Sequence, residues 1–225
     1  MKLLSSFLDL LFPPKCPFCG RVLDAPGICD ACRKALPWTE GADALRLGPD
    51  GFRCAAPLWY RDLAREGLHR FKFRGMSSAA TPLGELIAEC AAEHFAGEFD
   101  TVTWVPVSSR RLRQRGYDQA RLLAEEAARV LEVPALPLLS KTRDTPPQSG
   151  LEEAGQRRAN VLGVYRAPDA AAGLRVLLAD DVVTTGSTLS ECARTLLTAG
   201  AAEVVCVTLA QARKDRPEKP RKTAK

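Results

Sequence analysis

The sequence predicts an α/β protein: a mainly parallel sheet flanked by helices, with a small cysteine-bearing module in front of it. Three observations predict this. Short apolar runs at 101–107 (TVTWVPV), 174–180 (LRVLLAD) and 203–210 (EVVCVTLA) read as buried strands. Stretches of helical period lie between and before them, at 81–95 and 118–132. Their alternation within 225 residues implies right-handed crossovers and one substantial core.

Taken in order, residues 2–12 form a short amphipathic helix with Leu3, Leu4, Phe7, Leu8, Leu11 and Phe12 on one side. Residues 33–52 carry Pro37, Gly41, Gly48, Pro49 and Gly51 with little periodicity, so they read as a connector ending near Phe52. A strand is expected within 53–60, then helices over 61–74 and 81–95, the second with Leu83, Leu86, Ile87, Cys90 and Ala91 on one face. After strand 101–107, Asp118 stands in N-cap position for a helix whose stripe runs through Leu122, Leu123, Ala127, Val130 and Leu131 before Pro134 stops it. Residues 140–160 hold Pro146, Pro147, Gly150 and Gly155 and no strand pattern, so a long loop leading into a short helix is expected. Gly200 ends the helix that precedes the last strand.

Composition excludes several classes. With 46% hydrophobic and 26% charged residues the chain is neither collagen-like nor mainly disordered. The net charge of +5 suggests nucleic acid until it is located: residues 213–225 hold seven Lys/Arg and two Asp/Glu, so this expected disordered tail carries all of it and the body balances. No run reaches the length of a membrane span, about 18 apolar residues. Asp9 interrupts the N-terminal apolar run and Pro13-Pro14-Lys15 follow it, unlike a cleaved signal, so a cytoplasmic protein is expected.

Eight cysteines divide into two kinds. Cys16, Cys19, Cys29 and Cys32 form two Cys-x-x-Cys turns, which aim four thiolates at one tetrahedral centre and suit Zn²⁺, Gly20 allowing the tight turn. With four protein ligands the site is structural. Disulfides and thioredoxin-like redox chemistry compete with this reading, but the first is disfavoured in a reducing compartment and the second needs only one pair. Cys54, Cys90, Cys192 and Cys206 are scattered through apolar contexts and read as core.

The sharpest motif is 176–188, VLLADDVVTTGST. A buried strand delivers Asp180 and Asp181 at its carboxyl end, where open α/β sheets bind ligands. Thr184, Thr185, Ser187 and Thr188 supply hydroxyls, Gly186 permits close backbone approach, and the following helix turns its free N–H groups toward an anion. The combination suits a sugar phosphate. A second element is a basic loop after strand 101–107: Arg110, Arg111, Arg113, Arg115 and Arg121 face only Asp118, and guanidinium groups with backbone N–H groups near Ser108 and Ser109 suit pyrophosphate. A solvated surface is the plainer reading; a nucleic-acid stripe has only Tyr117 to stack on. Lys72 is read equally as a residue snorkelling from its helix or as a substrate contact. His69 and His94 form no catalytic arrangement.

The thirteen residues 176–188 resemble the phosphoribosyl pyrophosphate signature of type I phosphoribosyltransferases. Together with CPFCG and CDAC, FKFRG at 71–75, VPVSSRRLRQRGYDQ at 105–119, TRDTPPQSGL at 142–151 and RRANVLGVY at 157–165, they make nearly the whole chain similar to the ComF family, competence-associated proteins with an N-terminal zinc ribbon. The resemblance implies three units: helix, ribbon and connector at 1–52, a type I phosphoribosyltransferase-like domain at 53–212 with a hood at 53–95, and the basic tail at 213–225. It implies that Asp180 and Asp181 bind the ribose hydroxyls together with Mg²⁺ and that Thr184, Thr185, Gly186, Ser187 and Thr188 wrap the 5′-phosphate. Ser108, Ser109, Arg110, Arg111 and Arg115 would hold pyrophosphate, and 141–160 would be a lid with Lys141, Arg143, Gln148, Arg157 and Arg158 as contacts. Where the family usually has Phe and Asn this chain has Tyr117 and Asp118, which favours helix capping by Asp118; a second ribbon half is also missing, leaving Cys54 alone. The implied activity is transfer of a phosphoribosyl group to a nitrogen acceptor linked to DNA uptake; the alternative is a non-catalytic module that senses this ligand or binds single-stranded DNA or the uptake machinery. Neither a monomer nor an oligomer is singled out.

Overall fold

Two turns built on cysteine pairs open the structure, a computed structural model that describes residues 13–48, 51–73, 76–143 and 161–212. The first turn closes through Cys16 N to Arg21 O (2.8 Å) and Gly20 N to Cys16 O (2.9 Å); the second runs into helix α1 (Asp30–Ala35). A 3₁₀ turn at Gly41–Ala44 leads to strand β1 (Leu45–Leu47), followed by β2 (Arg53–Ala55), β3 (Leu58–Trp59), helix α2 (Asp62–Phe73) and helix α3 (Ala80–Phe95). Then come β4 (Thr101–Trp104), α4 (Ser109–Arg115), α5 (Gln119–Leu131), the short β5 (Ser140–Lys141) and β6 (Tyr165–Arg166), β7 (Arg175–Val183), α6 (Ser187–Thr198) and β8 (Glu203–Gln211). The expected helix at 2–12, most of the expected lid, Gln148, Arg157 and Arg158 included, and the tail 213–225 lie outside the described residues.

The central sheet has the order β1-β2-β8-β7-β4, with β3 also paired to β8. All pairings are parallel except β1 with β2. The apolar runs are continuous because both faces of the sheet are covered. Leu177, Ala179, Val205, Val207 and Leu209 pack under α2, α3 and α5, while the alternate residues Val176, Leu178, Cys206 and Cys54 pack under Leu189, Cys192 and Leu196 of α6. This split follows from the two-residue period of a strand.

Several elements differ from expectation. The strand expected over 53–60 is two pieces, since Pro57 has no N–H to give a ladder. The stretch 33–52 is more than a connector: β1 pairs with β2 across the expected boundary near Phe52, from Leu45↔Ala55 to Leu47↔Arg53. The Arg-rich segment expected as a loop is helix α4, capped by Ser108, whose hydroxyl accepts from Arg111 N, and stopped at Gly116, whose φ of 80° is left-handed. Strand β7 runs past Asp180 to Val183, because Val182 and Val183 pair with Ala210 and Gln211. On α5, Asp118 caps as expected by accepting from Arg121 N at 3.2 Å, but Val130 is 40% exposed and the buried face is instead Ala120, Leu123, Ala124, Ala127 and Ala128.

The cysteine module is packed onto the main domain rather than tethered to it. Cys16, Phe18, Cys32 and Leu36 share one core with Leu68, Phe71 and Leu83. Phe18 lies on Gly67 of α2, where an added Cβ would come within 2.5 Å of its ring, and Arg70 donates from the same helix to the Phe18 carbonyl. Among the described residues no helix is long and apolar enough to cross a membrane.

Candidate functional site

The four cysteines of the paired turns converge. Their Sγ atoms lie within 4.8 Å of one another, with Cys16 and Cys32 buried. Cys19 and Cys29 Sγ are 3.7 Å apart, close to the edge of about 3.8 Å that a tetrahedron of roughly 2.3 Å Zn–S bonds requires and far beyond a disulfide bond of about 2.05 Å. Burial, which raises the Cys16 thiol, is outweighed by the backbone N–H groups of Cys19, Cys29 and Phe18, which bring it down to about 7. Cys16 thus favours thiolate, the form a metal needs, whereas burial, helped by the neighbouring Cys29, Cys19 and Cys16 sulfurs, pushes the Cys32 thiol up, a cost that a bound cation would offset. The donor set fits a structural zinc ion. Cys54, Cys90, Cys192 and Cys206 are all buried, and burial pushes the Cys54 and Cys90 thiols up to about 12.

The second cluster lies at the carboxyl end of β7. Asp180 is held in register opposite Thr208 of β8, and its Oδ1 accepts from Asp181 N at 2.8 Å. Burial, then the adjacent Asp181 charge, push the Asp180 carboxyl well up; the Asp181 N–H and Lys72 oppose them. The chain then turns through Gly186, left-handed at φ 85°, into α6, whose first turn holds no acid. Thr185 and Ser187 hydroxyls bond each other at 2.9 Å, and Ser190 N closes on Gly186 O at 2.8 Å. A small open cleft of about 20 Å³ lies here, lined by Asp180, Thr184, Gly186, Ser187 and Thr188 with Val182, Val183 and Leu189. Hydroxyls, a glycine and the start of a twelve-residue helix around a small polar cleft are groups that suit an anion.

The basic segment divides. Arg115 is half-buried; burial pulls its guanidinium down, opposed by the Asp181 charge, and Arg111 adds to the lowering. Arg111 and Arg115 therefore feel the acid pair or each other, whereas Ser109 and Arg110 are exposed on the first turn of α4 and Ser108 is buried as its cap. Asp118 has a second task besides capping, since it accepts from Val107 N at 3.2 Å and so ties the segment after β4 to α5.

Three residues that sequence reasoning left out or left open complete the surroundings. Lys72 Nζ lies 2.8 Å from Asp181 Oδ2. Tyr117 donates its hydroxyl to the Phe71 carbonyl. Glu191, 5% exposed on α6, accepts from Gly163 N at 2.7 Å, while Thr142 N and Oγ1 both donate to Val164 O, at 2.8 and 2.9 Å. These bonds, with Arg143 Nη2 to Leu162 O at 3.1 Å, pin the two chain ends that flank 144–160. Glu191 carries no motif; its one sequence signal is an acid on the inner face of an amphipathic helix.

Comparison with known proteins gives matches at both clusters. The "Phosphoribosyl transferase domain" family profile matches residues 118–225 and the "Double zinc ribbon domain" profile matches residues 7–44; in this chain that stretch has four cysteines and no histidine, enough for one ion. The chain is 29% identical over 191 residues to "Competence protein ComFC" of Bacillus subtilis, covering 84% of this chain and 74% of that protein. It is 32% identical over 196 residues to "DNA utilization protein YhgH" of Salmonella typhi, covering 84% and 80%. Among solved structures, the glutamine phosphoribosylpyrophosphate amidotransferase from B. subtilis aligns with 27% identity and a TM-score of 0.40, over 58% of this chain and 26% of that one.

Proposed function

The chain belongs to the ComF family of competence and DNA-utilization proteins, and from that premise we propose that it binds phosphoribosyl pyrophosphate at the acid turn and transfers the phosphoribosyl group to a nitrogen nucleophile. The observation that carries the reading is the juxtaposition at 180–188: two carboxylates near the carboxyl end of a central strand, followed two residues later by a hydroxyl-lined cleft at a helix start. A ribose diol and a 5′-phosphate are the two ends of one small molecule that such a turn would hold.

In the reaction the bond from the anomeric carbon to pyrophosphate breaks as the bond to nitrogen forms, and the nucleophile's proton leaves to solvent. Asp180 and Asp181 hold the sugar and favour the positive charge growing on its ring; Arg111 and Arg115 favour the negative charge growing on the leaving group, with Ser108, Ser109 and Arg110 completing that side. Asp180 and Asp181 offer hard oxygen donors of the kind Mg²⁺ takes. Among the described residues no third Cys, His, Asp or Glu joins them, so the protein offers the ion two carboxylates, and its other donors would be waters or substrate oxygens. When bound it would supply charge neutralisation to the pyrophosphate.

A second reading, a binding module for DNA or a partner, is favoured by the exposed Arg110 and Arg113 on α4 and by what the relatives are named for. Titration calorimetry with phosphoribosyl pyrophosphate, with and without Mg²⁺, decides between them. Binding by the wild type that weakens at least about 100-fold in the Asp180→Asn/Asp181→Asn protein supports the first reading, about 2.7 kcal/mol being the matching loss. Flat wild-type titrations, with single-stranded DNA bound equally by both proteins, overturn it in favour of the second.

A further inference from the structure

The last turn of α2 closes on the basic segment and the acid turn through three consecutive residues. Phe71 gives its carbonyl to Tyr117, and the Phe73 ring lies under the Arg115 guanidinium at 4.9 Å. Between them Lys72 sends its ammonium to Asp181 rather than out to water. Its place on the helix explains this: Leu68 and Phe71 are fully buried beside it, so the Lys72 stem lies along the packed border and its head emerges inside the crevice. The pair is 2.8 Å apart, with the two side chains only 19% and 15% exposed. An ion pair so shielded is stronger than a surface pair and costs more to break one-sidedly.

Asp181 Oδ2 cannot serve Lys72 and an incoming ligand at full strength together. We infer that Lys72 is the resident counter-ion of the acid pair: it pairs with Asp181 and orients it while the site is empty, and yields that oxygen when a divalent cation or the diol of a sugar phosphate arrives. Lys72 is thus a positioning residue that competes with cation binding. Because it sits on α2 and Asp181 on β7, the exchange also releases this tie between the helix and the acid turn, while the helix keeps its contacts to Tyr117 and Arg115. The inference rests on the proposed function only for the identity of the sugar ligand.

The test uses the full-length, zinc-loaded chain and Mn²⁺ alone, followed by electron paramagnetic resonance and water proton relaxation. Lys72→Met and its polar counterpart Lys72→Gln are expected to bind Mn²⁺ at least about tenfold more tightly than wild type, since a cation next to the carboxylates has been removed. Lys72→Arg keeps the wild-type weakness, and adding Asp181→Asn to Lys72→Met abolishes the gain. Zinc content and circular dichroism report folding, and the Met and Gln variants cover one another if one fails to fold. Mn²⁺ affinity unchanged in both variants, or a gain that survives Asp181→Asn, overturns the inference. Sugar-phosphate titrations that stay flat while the Lys72 effect on Mn²⁺ is present sink the substrate reading and leave the counter-ion role standing; the reverse pattern does the opposite.

Discussion

The cysteine turns and the acid turn both gather like charges in a small volume, but they balance those charges in different ways. Four sulfur atoms within 4.8 Å point inward at a centre sized for one ion, and every donor comes from the protein. The acid turn has two carboxylates, and one of them is paired with a lysine from helix α2. A closed donor set is a folding device: its ion is needed for the turns to exist. A site meant for a substrate must keep its donors separable from whatever balances them beforehand, and a flexible ammonium on a four-carbon stem meets that need.

The largest effect expected from this contrast is on stability. Cys16→Ser, or exhaustive chelation, should remove one zinc per chain and withdraw Phe18 from α2, because both belong to one buried core. A loss of about 5 kcal/mol, or about 10–20 °C in Tm, is the expected scale. Asp181→Asn should leave zinc content unchanged. Metal analysis and thermal melts of the two variants check this; a Cys16→Ser melt matching wild type would break the contrast by showing that the metal turns add nothing to the main domain.

How far the sequence discloses each cluster follows from where the partners lie. The zinc donors, the cap at Asp118 and the turn 180–188 are local patterns, each complete within a few residues, and they read directly. Lys72 and Glu191 do not, because what matters is a contact made across the fold: Asp181 for one, Gly163 for the other. Strand β1 escapes for a related reason. Its Leu45 and Leu47 are exposed, so no alternation marks it, and it exists through its pairing with β2. Helix α4 has no apolar stripe, and none of its residues is buried; yet its bracket of Ser108 and Gly116 is a readable start and stop that the density of arginines obscures.

An intermediate effect tests whether the metal turns and α2 fold as one body. Gly67→Ala would favour the helix intrinsically by up to about 1 kcal/mol, but its Cβ would meet the Phe18 ring at 2.5 Å and the Pro17 carbonyl at 3.3 Å. A net destabilisation of about 1–3 kcal/mol is expected, as for overpacked cores. Urea denaturation followed by far-ultraviolet circular dichroism reads it. Net stabilisation would mean that Phe18 moves aside freely, and the docking of the module would then be looser than its shared core suggests.

The smallest effect lies at the acid turn itself. Burial and the Asp181 charge raise the Asp180 carboxyl in the folded chain, so the folded state binds more protons than the unfolded one from about pH 4, the ordinary aspartate range, up to the raised value. Stability therefore falls as pH rises through that window, the opposite of a salt-bridged aspartate. Asp180→Asn removes the ionisation and should flatten this slope while stabilising the empty protein by about 1 kcal/mol at neutral pH, measured by urea midpoints at a series of pH values. Sugar-phosphate binding, which uses the ionised form, should strengthen with pH over the same range in the wild type and be lost in the variant. A variant less stable than wild type at neutral pH would mean that the Asp180 carboxylate is held by its neighbours more than it is opposed by them. The acid turn would then resemble the cysteine cluster, a charge group completed by the protein, and Lys72 would be a permanent partner of the pair rather than one that gives way.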